Sequence, residues 1–315
     1  MNFTETDDNP APIGGRVDAV VTEDGMQLRA AHWRATMREP KGTVIVLQGR
    51  TEFIEKYFET IADLIRRGFA VATLDWRGQG RSQREIVDRC HVESFDDYDR
   101  DLDAFMRQIV LPDCPQPLFL LAHSMGSLVG LRAAREGRVR FNRLALTAPM
   151  LALSSFSAPP MGLVRALTGL GLFFGRDGRA VGNKALRSRY TDAVEDLRPK
   201  KMAKVLRAAP DLETGLPTVR WLHSAIQAMR EVDAPSFARG IKQPVMLIAN
   251  GRDRIVSNTA IEQFTGDLRF GAQIIIAGAR HEVLMEPDPL REEFWAAFDA
   301  FIPGGDPYDI ASETV

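Results

Sequence analysis

The stretch that decides the fold is "FLLAHSMGSLVG", residues 119–130. An apolar run enters a short polar turn, and small and apolar residues leave it at helical spacing. It reads as a buried strand, a tight turn and a helix, with Ser124 at the apex. Such a turn strains the backbone of its apex residue and lifts that side chain above the carboxyl edge of a sheet. Strand and helix nearly touch there, so the flanking residues must be small. The pattern is GxSxG with Ala122 in the first glycine position and Gly126 in the second, a one-methyl departure. By itself it equally describes an unreactive serine in a buried turn, so the rest of the chain must decide.

Working outward, short and almost wholly apolar runs recur: "TVIVLQ" from Thr43, "FAVATLD" from Phe69, "PLFLLAH" from Pro117, "RLALTAP" from Arg143, "PVMLIAN" from Pro244 and "AQIIIAG" from Ala272. Continuous rather than alternating apolarity suits strands covered on both faces. Helical patterns lie between them, as in "YFETIADLIRRG", where Phe58, Ile61, Leu64 and Ile65 share a face and Gly68 ends the run. Ahead of these, "VDAVVTEDGMQLRAAHWRA" reads as a hairpin turning at Asp24 and Gly25. The expected fold is α/β: an eight-stranded, mostly parallel sheet with right-handed crossovers and an inserted helical cap. The expected boundaries are a flexible tail over 1–16, a core over 17–150 and 241–302, a cap over 151–240 and a second tail over 303–315.

Bulk properties narrow the class. The chain has 315 residues, net charge −2 and 45% apolar residues, enough for a substantial core and without the footprint of a nucleic-acid binder or a disordered chain. Cys90 and Cys114 show neither a disulfide framework nor zinc-ligand spacing, which fits a reducing cytoplasm. The start "MNFTETDDNPAPIGG" lacks the features of a signal peptide, and the uncharged stretch from Leu144 to Val164 is broken by Pro149, Pro159 and Pro160, so a cytoplasmic location is expected. The cap carries 14 basic and 8 acidic residues, net +6. The plain reading is a solvated helix surface; the functional one is peripheral attraction to anionic lipid at the inner face of the membrane.

Serine is unreactive at its own pKa, so a histidine must take its proton and a carboxylate must orient that histidine. Asp253 follows "PVMLIANGR" and His281 follows "AQIIIAGAR", each just past a predicted strand and in the chain order Ser, acid, His. Strand ends at the carboxyl edge are where open α/β sheets place their sites. His123 adjoins Ser124 and should point away from it, His32 lies in the hairpin, His91 in a loop and His223 in the cap. The oxyanion formed on attack needs preorganised donors. The candidates are the backbone amides of Met125, first in the helix, and Arg50, in the loop after "TVIVLQG". No metal or cofactor is required by this chemistry.

These residues resemble those of the α/β-hydrolase superfamily, and within it the lysophospholipase and monoacylglycerol lipase group. The likeness runs from about Val17 to Ile302. "QGRTEFIEKY" (48–57) is similar to the group's HGxxE segment, "LDWRGQGRS" (74–82) to its DxRGxGxS segment, and "HEVLMEPD" (281–288) to the region of its catalytic histidine. The resemblance implies Ser124 as nucleophile, Asp253 as acid, His281 as base, and Arg50 and Met125 as amide donors. Gln48, Ala122 and Ser127 depart from it, standing where the group has histidine, glycine and glycine. Glu52, Asp75, Arg77, Tyr98 and Asp101 read as structural supports.

The cap supplies apolar residues suited to an acyl chain or to its own core: Phe156, Met161, Leu163, Phe173 and Phe174, with Met150, Leu151 and Leu153 leading in. Arg165, Arg176, Arg187, Arg189 and Arg220 are available for a phosphate. The expected activity is hydrolysis of a lysophospholipid or monoacylglycerol ester through an acyl-serine. The alternatives are a carboxylesterase for small or xenobiotic esters, a lysolipid transacylase, and a non-catalytic binder on the same fold. Oligomeric state is not legible in the sequence.

Overall fold

The computed structural model describes residues 2–154, 161–181 and 197–305. Its centre is one sheet of eight strands: β1 (Arg16–Val21), β2 (Gln27–Trp33), β3 (Thr43–Leu47), β4 (Ala70–Leu74), β5 (Leu118–His123), β6 (Arg143–Thr147), β7 (Val245–Asn250) and β8 (Gly271–Ile276). They run in the order β1-β2-β4-β3-β5-β6-β7-β8. The β1–β2 hairpin and the β2–β4 pair are antiparallel, and all other pairs are parallel.

The apolar runs are buried on both faces because each strand feeds two cores in alternation. Leu118, Leu120 and Ala122 of β5 enter one core, while Phe119 and Leu121 enter the other. The first core lies beneath α2 (Asp96–Phe105), α3 (Met125–Glu136) and α6 (Val219–Val232); the second lies beneath α1 (Phe58–Arg66) and α9 (Asp288–Phe301). On α1 the buried residues include Phe58, Ile61, Leu64 and Ile65. The helix ends at Gly68, whose φ of 88° belongs to the left-handed region. There Gly68 N–H bonds Ile65 O and Phe69 N–H bonds Leu64 O, which satisfies the last carbonyls of the helix.

Strand β8 departs from the expected burial. It is one of the two edge strands, paired among the described residues with β7 alone, and Ile275 remains 64% exposed despite the apolar run it sits in. An edge strand lacks the second neighbour whose helices would complete its cover.

Between β6 and β7 the described residues contribute no strand to the main sheet. They form α4 (Met161–Phe173), α5 (Leu197–Ala208), α6 and the short α7 (Pro235–Gly240). A two-residue parallel pairing of Arg89–Cys90 with Leu216–Pro217 joins this insert to the loop after β4. Helix α8 (Asn258–Asp267) lies between β7 and β8. Among the described residues, no helix is long and apolar enough to cross a membrane.

The amino-terminal residues differ from the flexible tail expected over 1–16. Phe3 stacks on Trp33 with ring centroids 5.3 Å apart. Thr4 N–H bonds Glu55 Oε1 at 3.1 Å, and Trp33 Nε1 donates to Pro12 O at 2.9 Å. Asp8 pairs with Lys204 of α5. An aromatic ring and a buried indole N–H, both needing partners, hold the segment in place. Of the expected carboxyl-terminal tail, only residues 303–305 lie among those described.

Candidate active site

Ser124 stands where β5 ends and α3 begins, with φ 49° and ψ −112°, the strained conformation that the elbow demands. Its N–H bonds Thr147 O at 3.0 Å, and its carbonyl accepts from Met150 N at 3.1 Å, so the turn is tied to β6 and to the chain leaving it. The start of α3 presses directly onto the end of β3: a Cβ on Gly126 would lie 2.4 Å from Leu47 O and 2.6 Å from Gln48 O. Ala122 pairs with Leu47 and Leu146 in the sheet and packs into the first core, where a methyl is accommodated.

His281 completes the site from the loop beyond β8. Its Nε2 lies 3.1 Å from Ser124 Oγ and its Nδ1 lies 2.7 Å from Asp253 Oδ2. Asp253 Oδ1 accepts from the amides of Ile255 at 2.7 Å and Val256 at 3.2 Å. Burial pushes the Asp253 carboxyl up, but the bond to His281, its charge and the two amides outweigh that and hold the group below its ordinary value. The carboxylate is therefore ionised at neutral pH and fixes the imidazole by one nitrogen, leaving the other toward Ser124. Asn250, at the end of β7 and fully buried, donates from Nδ2 to the carbonyl of His281 at 2.8 Å.

His123 packs its ring 4.8 Å from that of His281, and its Nδ1 meets Thr147 Oγ1 at 3.0 Å. Burial lowers its pKa to about 4, with Glu52 opposing and His281 adding to the shift, so it is neutral at pH 7.

The loop after β3 is held from several sides. Gly49 N–H donates to Glu52 Oε2, and Thr51 N–H donates to Gln79 Oε1. The Arg50 amide lies between these two anchored neighbours, and the Arg50 guanidinium sits 5.5 Å from the ring centroid of Trp221 on α6. Gln48, where the resembling group has histidine, is buried and donates to Thr73 Oγ1 at 3.3 Å. Its carbonyl accepts from Trp76 Nε1 at 2.9 Å.

The residues read as supports all have polar partners. Asp75 accepts from Arg29 Nε at 2.7 Å and from the Ile54 amide at 2.9 Å. Arg77 joins Asp101 and Asp24. Glu52 also takes Lys56 Nζ and the Tyr57 hydroxyl, and Tyr98 accepts from Trp221 Nε1 at 2.9 Å.

The residues expected to contact substrate divide. Met150 is buried beside Ser124, and Met161 is partly buried against the first core. Phe173, 82% exposed, Phe174 and Arg165 instead face outward. The reason is the seating of α4 on α6: Thr168 Oγ1 meets His223 Nδ1 at 3.0 Å, and Gly171 lies close against Val219, so the opposite face turns to solvent. Arg176 is exposed and Arg220 pairs with Glu93 at 3.2 Å. Phe156, Arg187 and Arg189 lie outside the described residues. Asn250, Lys56 and Gln79 were not anticipated. Each holds a neighbouring loop, and no residue-type pattern in the sequence marks such a role.

Fold and site together define an α/β-hydrolase with a serine, a histidine and an aspartate in hydrogen-bonded series. The family model described as "Serine aminopeptidase, S33" matches residues 38–288, and the chain belongs to that family. Lysophospholipase L2 of Escherichia coli (strain K12) is 31% identical over 285 residues, covering 85% of this chain and 82% of the relative. Monoglyceride lipase of Rattus norvegicus is 31% identical over 148 residues, 47% of each chain. Among solved structures, the monoacylglycerol lipase of Paleococcus ferrophilus superposes with TM-score 0.68 at 23% identity, covering 89% of this chain and all of that one, a likeness of fold. The protein is a carboxylic ester hydrolase of the lysophospholipase and monoacylglycerol lipase kind.

Proposed function

We propose that the protein cleaves the carboxylic ester of a lysophospholipid or monoacylglycerol through an acyl-serine intermediate. The observation that carries this reading is the series Asp253–His281–Ser124, at 2.7 and 3.1 Å. His281 Nε2 takes the Ser124 proton as Oγ attacks the ester carbonyl, and Asp253 stabilises the imidazolium that forms. The oxyanion is received by the amides of Met125, at the positive end of α3, and Arg50. Collapse expels the alcohol, which takes the proton from His281. In the second half a water, deprotonated by His281, releases the fatty acid.

In this reading residues 17–150 and 241–302 are the catalytic core, and 151–240 are a cap over the site. The cap also meets an anionic lipid surface from the cytoplasmic side. Supporting this, Leu163, Leu167, Leu170, Phe173 and Phe174 are exposed along one side of α4 and its end, in a segment of net positive charge. The test is turnover of lysophospholipids and monoacylglycerols matched in acyl chain, beside fluorophosphonate labelling. Ser124→Ala should abolish both. An unlabelled Ser124, or ester turnover undiminished in Ser124→Ala, would end the proposal; a short-chain optimum would replace it by a small-ester carboxylesterase. Acyl transfer to a second lysolipid in place of water would instead mark a transacylase.

A further inference from the structure

We infer that Gln79 is a positioning residue of the oxyanion hole, holding the Arg50 amide in its working orientation through Thr51; this rests on the acyl-serine reading. Thr51 has φ 63°, a left-handed conformation that a β-branched residue adopts only when its surroundings impose it. Two bonds hold it there: Thr51 N–H donates to Gln79 Oε1, and Thr51 Oγ1 donates to Arg50 O at 2.6 Å. On the other side, the Gly49 N–H bond to Glu52 fixes the preceding peptide. The Arg50 peptide is thus clamped from both sides. Released from Gln79, Thr51 would relax toward negative φ, and the Arg50 backbone would turn with it.

Gln79 stands on a platform that does not yield. Its N–H bonds Trp76 O at 3.0 Å and its carbonyl accepts from Ser82 N at 3.1 Å. The adjacent Gly80 is packed so tightly that a Cβ there would lie 2.1 Å from Asp75 Oδ2. The same loop also binds the segment after β3 where Trp76 Nε1 donates to Gln48 O, where Asp75 Oδ1 accepts from the Ile54 amide, and where Arg81 pairs with Glu55 at 4.0 Å. Those ties hold the ends of that segment, whereas the Gln79 tie falls at Thr51, next to Arg50. Gln79 is fully buried, and its Nε2 has no hydrogen-bond partner among the described residues. Folding alone would favour an apolar side chain over a half-satisfied buried amide. Its retained oxygen is explained by the Thr51 N–H.

The experiment compares Gln79→Met, which keeps length and volume without the oxygen, and Gln79→Asn, which draws the amide back by one methylene. For a soluble p-nitrophenyl ester, kcat should fall about 100-fold in each while KM stays within about twofold, the pattern of a lost oxyanion donor. Affinity for a trifluoromethyl ketone, which places an oxyanion in the hole, should fall with kcat/KM. A merely structural role would leave the ratio of ketone affinity to substrate affinity unchanged in whichever variant folds, and that result, or an unchanged kcat, overturns the inference. Wild-type protein that neither turns over esters nor labels at Ser124 would instead defeat the underlying reading.

Discussion

Gly126→Ala is the sharpest test of the elbow. The added methyl would lie 2.4 Å from Leu47 O, 2.6 Å from Gln48 O and 2.7 Å from Leu47 C, all backbone atoms of the β3 end. Reaching even a tight 3.0 Å contact requires α3 and β3 to separate by roughly 0.6 Å, and overpacking of this kind costs about 1–3 kcal/mol. The separation is also functional. The moving parts carry Met125 on one side and Gln48, two residues before Arg50, on the other, so the two proposed amide donors part. A displacement approaching 1 Å at reacting groups costs about 100-fold in rate. The expected result is a melting temperature lower by several degrees and a kcat for a p-nitrophenyl ester reduced about 100-fold, with the fold retained by circular dichroism. Ala122→Gly is the counterpart. It restores the commoner motif yet removes a packed methyl and adds backbone freedom, so it should cost about 1–2 kcal/mol while kcat stays within a few-fold. Full activity in Gly126→Ala with an unmoved melting temperature would refute the close-approach argument.

Asn250→Ala removes the donor to the His281 carbonyl and should lower kcat about tenfold with a loss of roughly 1–3 kcal/mol, read by kinetics and denaturant melts; equal kcat would show that the base needs no such support. His123 is held neutral with a pKa near 4, below its unfolded value of about 6.5. Its contribution to stability is full above the unfolded value and is lost as pH falls from there through 4. His123→Gln should therefore flatten the melting temperature between those limits relative to wild type, and an identical acid limb would count against it. Leu167→Glu with Leu170→Glu should weaken cosedimentation with anionic vesicles while sparing turnover of a soluble short-chain ester. Undiminished vesicle binding would remove α4 from the proposed lipid contact.

The strands were legible because a central parallel strand must be apolar on both faces, a property of composition over a few residues. The same rule misjudged β8, since nothing in "AQIIIAG" says that it has only one neighbour. The candidate triad was legible because its members follow strands and keep their order. Phe173, Phe174 and Arg165 were assigned toward the substrate from type alone; the side that α4 presents is set by Thr168 and Gly171 meeting α6. Phe3 and Pro12 gave no local sign of order, because their partner Trp33 lies across the hairpin.

The sequence by itself determined the class of fold, the elbow at Ser124 and the chain order of Ser124, Asp253 and His281. Each of these follows from local apolarity, turn chemistry and residue type. Tertiary structure alone decided that the three meet at 2.7 and 3.1 Å, that Asn250 holds the His281 carbonyl, and that Gln79 anchors the loop after β3. These contacts join residues distant in sequence, and they come together only where parallel strands end at one edge of the sheet and their loops meet.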